Sequence, residues 1–313
     1  MFTLIWGLEL QKISKISLLS LSALLFSCGA KDINTTRTLR KTIAIDFNAH
    51  HVFLVPHPDD WQLFMGEYAY DVIRSASTKV TIVLTNAGDA GKGTTYWQAR
   101  ELASLASVRA SLGYPLVQGD PSETDETLSL NGKNIRHHTL RNVSMYFIRL
   151  PDGFPDGSGS SASNGESMLK LRDGDISKIT TIDKANTFTW SELQTLMKNI
   201  VAREVPAPAQ PLTFYIQDPG SEKKFSHSDH LATQDLARYT TGFYVSDQCK
   251  QIAFEDYRIK NKTENLGDAG KKSVLFSAYD VIMFTTVGEC NNCLTSHYQW
   301  LLRSYHREFN CGT

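Results

Sequence analysis

Apolar positions in this chain fall into short runs between polar loops, and the spacing inside those runs switches between that of strands and that of helices. Val52-Phe53-Leu54-Val55, bounded by His51 and Pro56, is a continuous apolar run of strand length, and Lys79 to Thr85 alternates and is rich in Val, Ile and Thr. Val143 to Leu150 and Leu212 to Gln217 predict further strands, and Asp280 to Thr286 a late one. Leu63, Phe64, Tyr68 and Val72 carry helical spacing through Leu63 to Ser75, and Trp97 to Leu112 is strongly helical and closes at Gly113. Thr189 to Glu204 opens on a Thr189/Glu192 capping box, and Asp229 to Tyr239 adds another helix. Strand, loop and helix in alternation predict an α/β fold with a mostly parallel sheet flanked by helices. Phe154 to Asn164 is rich in Gly, Ser and Asp, lacks any period, and predicts a long mobile loop at the sheet edge.

The first residues follow a different pattern. Lys12 and Lys15 precede an uncharged apolar stretch from Ile16 to Phe26, long enough for a signal-peptide core and too short to span a bilayer. Leu25-Phe26-Ser27-Cys28-Gly29 resembles the lipobox of bacterial lipoproteins. That resemblance implies a signal peptide over 1–28, a lipid on Cys28, a polar tether over 29–42 and a single domain over 43–313 in the bacterial cell envelope, facing the periplasm or the exterior. Phe26 is bulkier than the lipobox usually carries, and a plain cleaved signal or a membrane-anchored start is the alternative.

Composition narrows the class little: 313 residues with 41% hydrophobic and 21% charged make an ordinary globular mixture. A net charge of -1 without a basic cluster argues against a nucleic-acid partner. Cys249, Cys290, Cys293 and Cys311 cluster late in the chain, so an oxidising compartment predicts two disulfides with the pairing open. Free thiols, or a metal clip or redox pair at Cys290-Asn291-Asn292-Cys293, are the weaker readings.

Two stretches carry candidate chemistry. His57-Pro58-Asp59-Asp60 follows the first predicted strand, where open α/β folds place their ligands, and brings one imidazole and two carboxylates to that edge. Phe225-Ser226-His227-Ser228-Asp229-His230 opens the helix after the strand at 212–217. Helix capping accounts for one of its polar residues but not for both histidines. Asn86-Ala87-Gly88-Asp89-Ala90-Gly91, after the second strand, is a flexible loop able to approach a ligand closely.

His57-Pro58-Asp59-Asp60, the loop from Thr85 to Gly91, the Trp97-Gln98-Ala99-Arg100-Glu101 helix and His227-Ser228-Asp229-His230 together resemble, in order and spacing, the LmbE-like or PIG-L deacetylase family over about 44–239. The resemblance implies a Rossmann-like sheet and a zinc-dependent hydrolase that removes the acetyl group from an N-acetylglucosaminyl-type sugar or glycan by zinc-activated water. It makes His57, Asp60 and His230 the metal ligands, Asp59 the general base, His227 the oxyanion stabiliser or acid, and Asp229 the partner that orients a histidine. Arg100 and Asp152 become substrate contacts. Two imidazoles and a carboxylate suit zinc with an open position, and also other divalent transition metals. Two departures bear on substrate: Trp61 stands where the family has Glu and offers an apolar face for the sugar, and Phe225 lacks the hydroxyl that some members carry. The alternative is an exported carbohydrate-binding protein that kept fold and metal without turnover. Membrane contact is expected only through the lipid at Cys28.

Overall fold

The apolar run at 52–55 folds as the central strand of the protein, and the polar residues that follow it land at the sheet's edge. The computed structural model describes residues 47–205, 211–218, 226–289 and 293–312. The expected export segment with Cys28, the tether, Phe225 and Cys290 lie outside the described residues, as does the side chain of Cys293. In chain order the elements are β1 (Ala49–Val55), α1 (Asp60–Leu63), α2 (Gly66–Arg74), β2 (Thr78–Asn86), α3 (Thr94–Ser111), β3 (Thr124–Leu130), β4 (Lys133–Leu140), β5 (Val143–Leu150), α4 (Met168–Asp173), β6 (Ile179–Thr180), β7 (Thr187–Phe188), α5 (Trp190–Glu204), β8 (Leu212–Gln217), α6 (Ser228–Thr241), β9 (Cys249–Phe254), α7 (Gly270–Val287), α8 (Cys293–Leu301) and β10 (His306–Asn310).

Eight strands form one sheet in the order β10-β9-β8-β1-β2-β5-β4-β3. The five from β9 to β5 are parallel, while the β3–β4 hairpin and β10 are antiparallel additions at the two edges. β1 is buried on both faces, which is why its apolar run is continuous rather than alternating. Phe53 and Val55 join Phe64, Ile82, Leu275 and Phe276 on one side, and Val52 and Leu54 join Ile148, Ile200, Phe214 and Leu236 on the other. The chain runs from β1 outward to β2 and β5, then returns to β8 and β9 on the opposite side of β1. Strand order therefore reverses between β1 and β8, and at such a point the crevice beyond the carboxyl ends of the strands opens to ligand.

Thr189 and Glu192 form the expected reciprocal capping box, and Gly113 adopts φ +79° just after α3. Three expectations are corrected. Asp280 to Thr286 is the second half of α7, not a strand: Leu275, Phe276, Tyr279, Ile282 and Met283 are buried at helical spacing, and a short apolar run does not distinguish the two states. The 63–75 helix is two helices, α1 and α2. The loop from Phe154 to Asn164 is knitted rather than loose. Gly159 N donates to Gly153 O at 3.0 Å, and Lys170 Nζ donates to the carbonyls of Ser158 and Gly165, each at 2.7 Å. The pattern also left β3, β4, β9 and β10 unread, although Asn131 and Gly132, both at positive φ, are the usual signal of a two-residue hairpin turn.

One of the two expected disulfides lies within the described residues, joining Cys249 to Cys311 across a sequence separation of 62. It staples edge strand β10 to β9. Replacing both cysteines by serine should lower unfolding stability by about 2–4 kcal/mol, through the freedom regained by the unfolded chain. Denaturant titration of the oxidised wild type and the double variant checks this, and coincident midpoints would contradict it.

Candidate functional site

Three parallel strands each place a polar residue two positions past their end: His57 after β1, Asp152 after β5 and Asp256 after β9. The first turn of α6, entered from β8, adds His227, Asp229 and His230. His57 and Asp60 face each other because the chain turns straight from β1 into α1. His57 N donates to Asp60 Oδ2 at 2.8 Å, and His57 Nδ1 lies 3.1 Å from the same oxygen. His230 Nε2 lies 3.3 Å from it. Two imidazoles thus converge on one carboxylate, and all three residues are buried.

The far nitrogen of each imidazole is held by a further carboxylate. His57 Nε2 donates to Asp229 Oδ2 at 3.1 Å, and His230 Nδ1 donates to Asp256 Oδ2 at 3.0 Å. Asp229 Oδ2 also accepts from Gly153 N at 2.9 Å. A Cβ at position 153 would stand 2.6 Å from Asp229 Oδ1 and 2.7 Å from Ser228 Oγ, so only glycine permits this approach. His227 packs edge-on against His57, with ring centroids 4.7 Å apart. Its Nδ1 accepts from Asp229 N at 3.2 Å, capping α6, and its Nε2 faces Asp152 Oδ1 at 3.5 Å. Asp59 pairs with Arg100, whose Nη1 also donates to Gly88 O at 2.6 Å and whose Nε donates to Tyr279 Oη at 2.8 Å.

The field in the crevice favours positive charge. Burial opposes ionisation of His57, yet Asp60 and Asp229 hold its pKa well above the usual histidine value. Burial acts the same way on His230, and Asp60 and Asp256 raise it to about 9. Asp60 is held well below the ordinary carboxylate range by His230 and His57, against its burial. Burial pushes Asp152 up, but its contact to His227, the charge of His57 and the Phe154 amide together hold it low.

Two groups have ligand atoms close enough to share a metal ion, His57/Asp60/His230 and His57/Asp152/His227/Asp229. The first fits a divalent cation. Asp60 Oδ1 and His230 Nε2 are buried without a hydrogen-bond partner, and both imidazoles have their other nitrogen held, the arrangement that fixes a metal-binding histidine. In the second group, His227 Nδ1 already caps α6, and Asp229 Oδ2 already accepts from His57 and Gly153. That group is better suited to holding and moving protons.

Two expected substrate contacts have other surroundings. Trp61 is fully buried and its Nε1 donates to Ser104 Oγ at 2.9 Å. It offers no face to a sugar, because α1 turns position 61 into the core beneath the sheet edge. Arg100 is buried as well and directs its guanidinium to Asp59, Gly88 and Tyr279. Asp152 does reach the crevice, where it faces His227. Sequence reasoning missed Asp256, Tyr257 and Tyr279. A signal existed for Asp256, since an apolar stretch ending at Phe254 followed two residues later by a carboxylate repeats the pattern that singled out His57.

A family model described as PIG-L: GlcNAc-PI de-N-acetylase matches residues 52–240. No curated protein matches the chain. Among solved structures, the chain is similar to a deacetylase of the teicoplanin biosynthesis pathway in complex with teicoplanin, at 12% identity over 83% of this chain and 96% of that one, with a TM-score of 0.42. It is also similar to N,N'-diacetylchitobiose deacetylase from Pyrococcus horikoshii in complex with its inhibitor MPG, at 14% identity over 85% of each chain, with a TM-score of 0.40.

Proposed function

We propose, for a chain that belongs to the PIG-L family of deacetylases, that it hydrolyses the N-acetyl group of an N-acetylglucosaminyl-type sugar with a divalent metal, zinc, held by His57, Asp60 and His230. One observation carries the reading: two buried imidazoles converge on Asp60 while Asp229 and Asp256 hold their outer nitrogens. When bound, the ion would supply a Lewis acid for the amide oxygen and bring the pKa of a water down to about 7.

The remaining work falls to this chain's own side chains. Asp59 lies beside Asp60 in sequence and keeps partial access to solvent, while Arg100 fixes one of its oxygens. The other oxygen is free of that pairing and is the one assigned to take a proton from the attacking water. His227 holds a proton at Nε2, since Nδ1 accepts from Asp229 N, and Asp152 Oδ1 lies 3.5 Å from that nitrogen. His227 can therefore donate a hydrogen bond from Nε2 to the oxyanion as it forms, and the proton taken up by Asp59 is the one passed to the leaving amine. Asp229 acts through His57, fixing its ring with Nδ1 toward Asp60.

Acetate release from a panel of N-acetylated sugars, measured on the purified full chain before and after chelation, tests the proposal. Turnover should vanish with the metal and return when zinc is restored. A protein that binds metal and sugar yet releases no acetate from any of them would overturn hydrolysis in favour of carbohydrate binding.

A further inference from the structure

The family model ends at residue 240, yet the crevice does not. β9 pairs with β8 in parallel, Gln217 opposite Phe254, so the chain leaving β9 emerges beside the chain leaving β8. Asp256 consequently stands under His230, with Oδ2 3.0 Å from its Nδ1. Ser226 Oγ donates to the same oxygen, and the Tyr257 ring stacks on the His230 ring with centroids 5.1 Å apart and 22° between planes. The late part of the chain is tied down around this point. Trp300 Nε1 donates to Tyr257 O at 2.9 Å, the buried Lys272 Nζ donates to the carbonyls of Trp300 and Arg303, each at 2.7 Å, and the Cys249–Cys311 bridge closes the strand pair.

We propose that Asp256 is the positioning residue for His230, and that the described residues 249–289 and 293–312, beyond the family match, are in this way a structural part of the metal centre. A carboxylate can only accept, so Asp256 keeps hydrogen on Nδ1 and leaves Nε2, 3.3 Å from Asp60 Oδ2, as the atom whose lone pair a metal ion would take. Tyr257 fixes the plane of the ring and Asp256 fixes its rotation and tautomer. Without Asp256, His230 can carry its hydrogen on Nε2, where it blocks ligation. The pairing matches the hold of Asp229 on His57, so each of the two histidines is clamped by its own carboxylate. One clamp comes from the matched segment and the other from outside it.

The inference rests on the metal reading of the site, and the experiment separates the two. Full-length wild type, Asp256→Asn and Asp256→Ala are titrated with Co2+, followed by its visible spectrum, and with Zn2+ against a competing chelator, with circular dichroism and thermal melts in parallel. Affinity should fall about 10-fold to 100-fold, the loss typical when the outer partner of a ligand histidine is removed. The Ala variant should lose more than the Asn variant, whose amide oxygen still accepts from Nδ1. If Asp256→Ala does not fold, Asp256→Asn decides alone. Folded variants that melt earlier yet bind metal within twofold of wild type would assign Asp256 to the scaffold and overturn the inference. A wild type that binds neither ion would remove the metal reading and this inference together.

Discussion

Asp59→Asn is expected to keep its metal and lose its turnover. Asparagine preserves the size of the side chain and an oxygen for Arg100, so the α1 turn and the neighbouring Asp60 should stay in place, while the amide cannot take a proton. Acetate release should drop by about 10²–10⁴, the range associated with a lost general base. Asp60→Asn should instead weaken metal binding, because Asp60 is the buried carboxylate on which both imidazoles converge. Metal analysis and acetate assays on both variants check the division of labour. Loss of metal in Asp59→Asn, with metal retained and turnover lost in Asp60→Asn, would reverse the two roles.

His230→Ala should abolish stoichiometric metal, and activity with it. The substitution removes one of the three proposed protein ligands and leaves the buried Asp256 facing a cavity in place of the imidazole it holds. Removing only the outer partner of such a histidine costs about 10-fold to 100-fold in affinity, so removing the ligand itself should cost more. Metal content after dialysis, measured beside that of the wild type, checks this. Full retention of metal would exclude His230 from the ligand set and leave the group around Asp152 and His227 as the place to look.

Local pattern determined much of this protein. The periods of the apolar runs marked β1, β2, β5, β8 and the helices α3, α5 and α6, because a strand or helix must present its apolar residues at its own repeat to be buried at all. Turn and capping chemistry placed Thr189, Glu192 and Gly113, and the motifs at 57–60 and 227–230 were legible as paired imidazoles and carboxylates next to strand and helix ends. Tertiary structure decided what lies between those pieces. Only the reversal of strand order at β1 and β8 brings His57 and His230 to one carboxylate, across 173 positions of sequence that no local rule connects. Asp256 became part of the site through the pairing of β9 with β8, whereas Trp61, beside two candidate site residues in sequence, was turned into the core by the first turn of α1. Arg100 was likewise drawn inward, onto Asp59. A sequence states which groups are available, but which of them share a cavity depends on strand order and on the direction each Cβ leaves the backbone, and those are properties of the packed sheet.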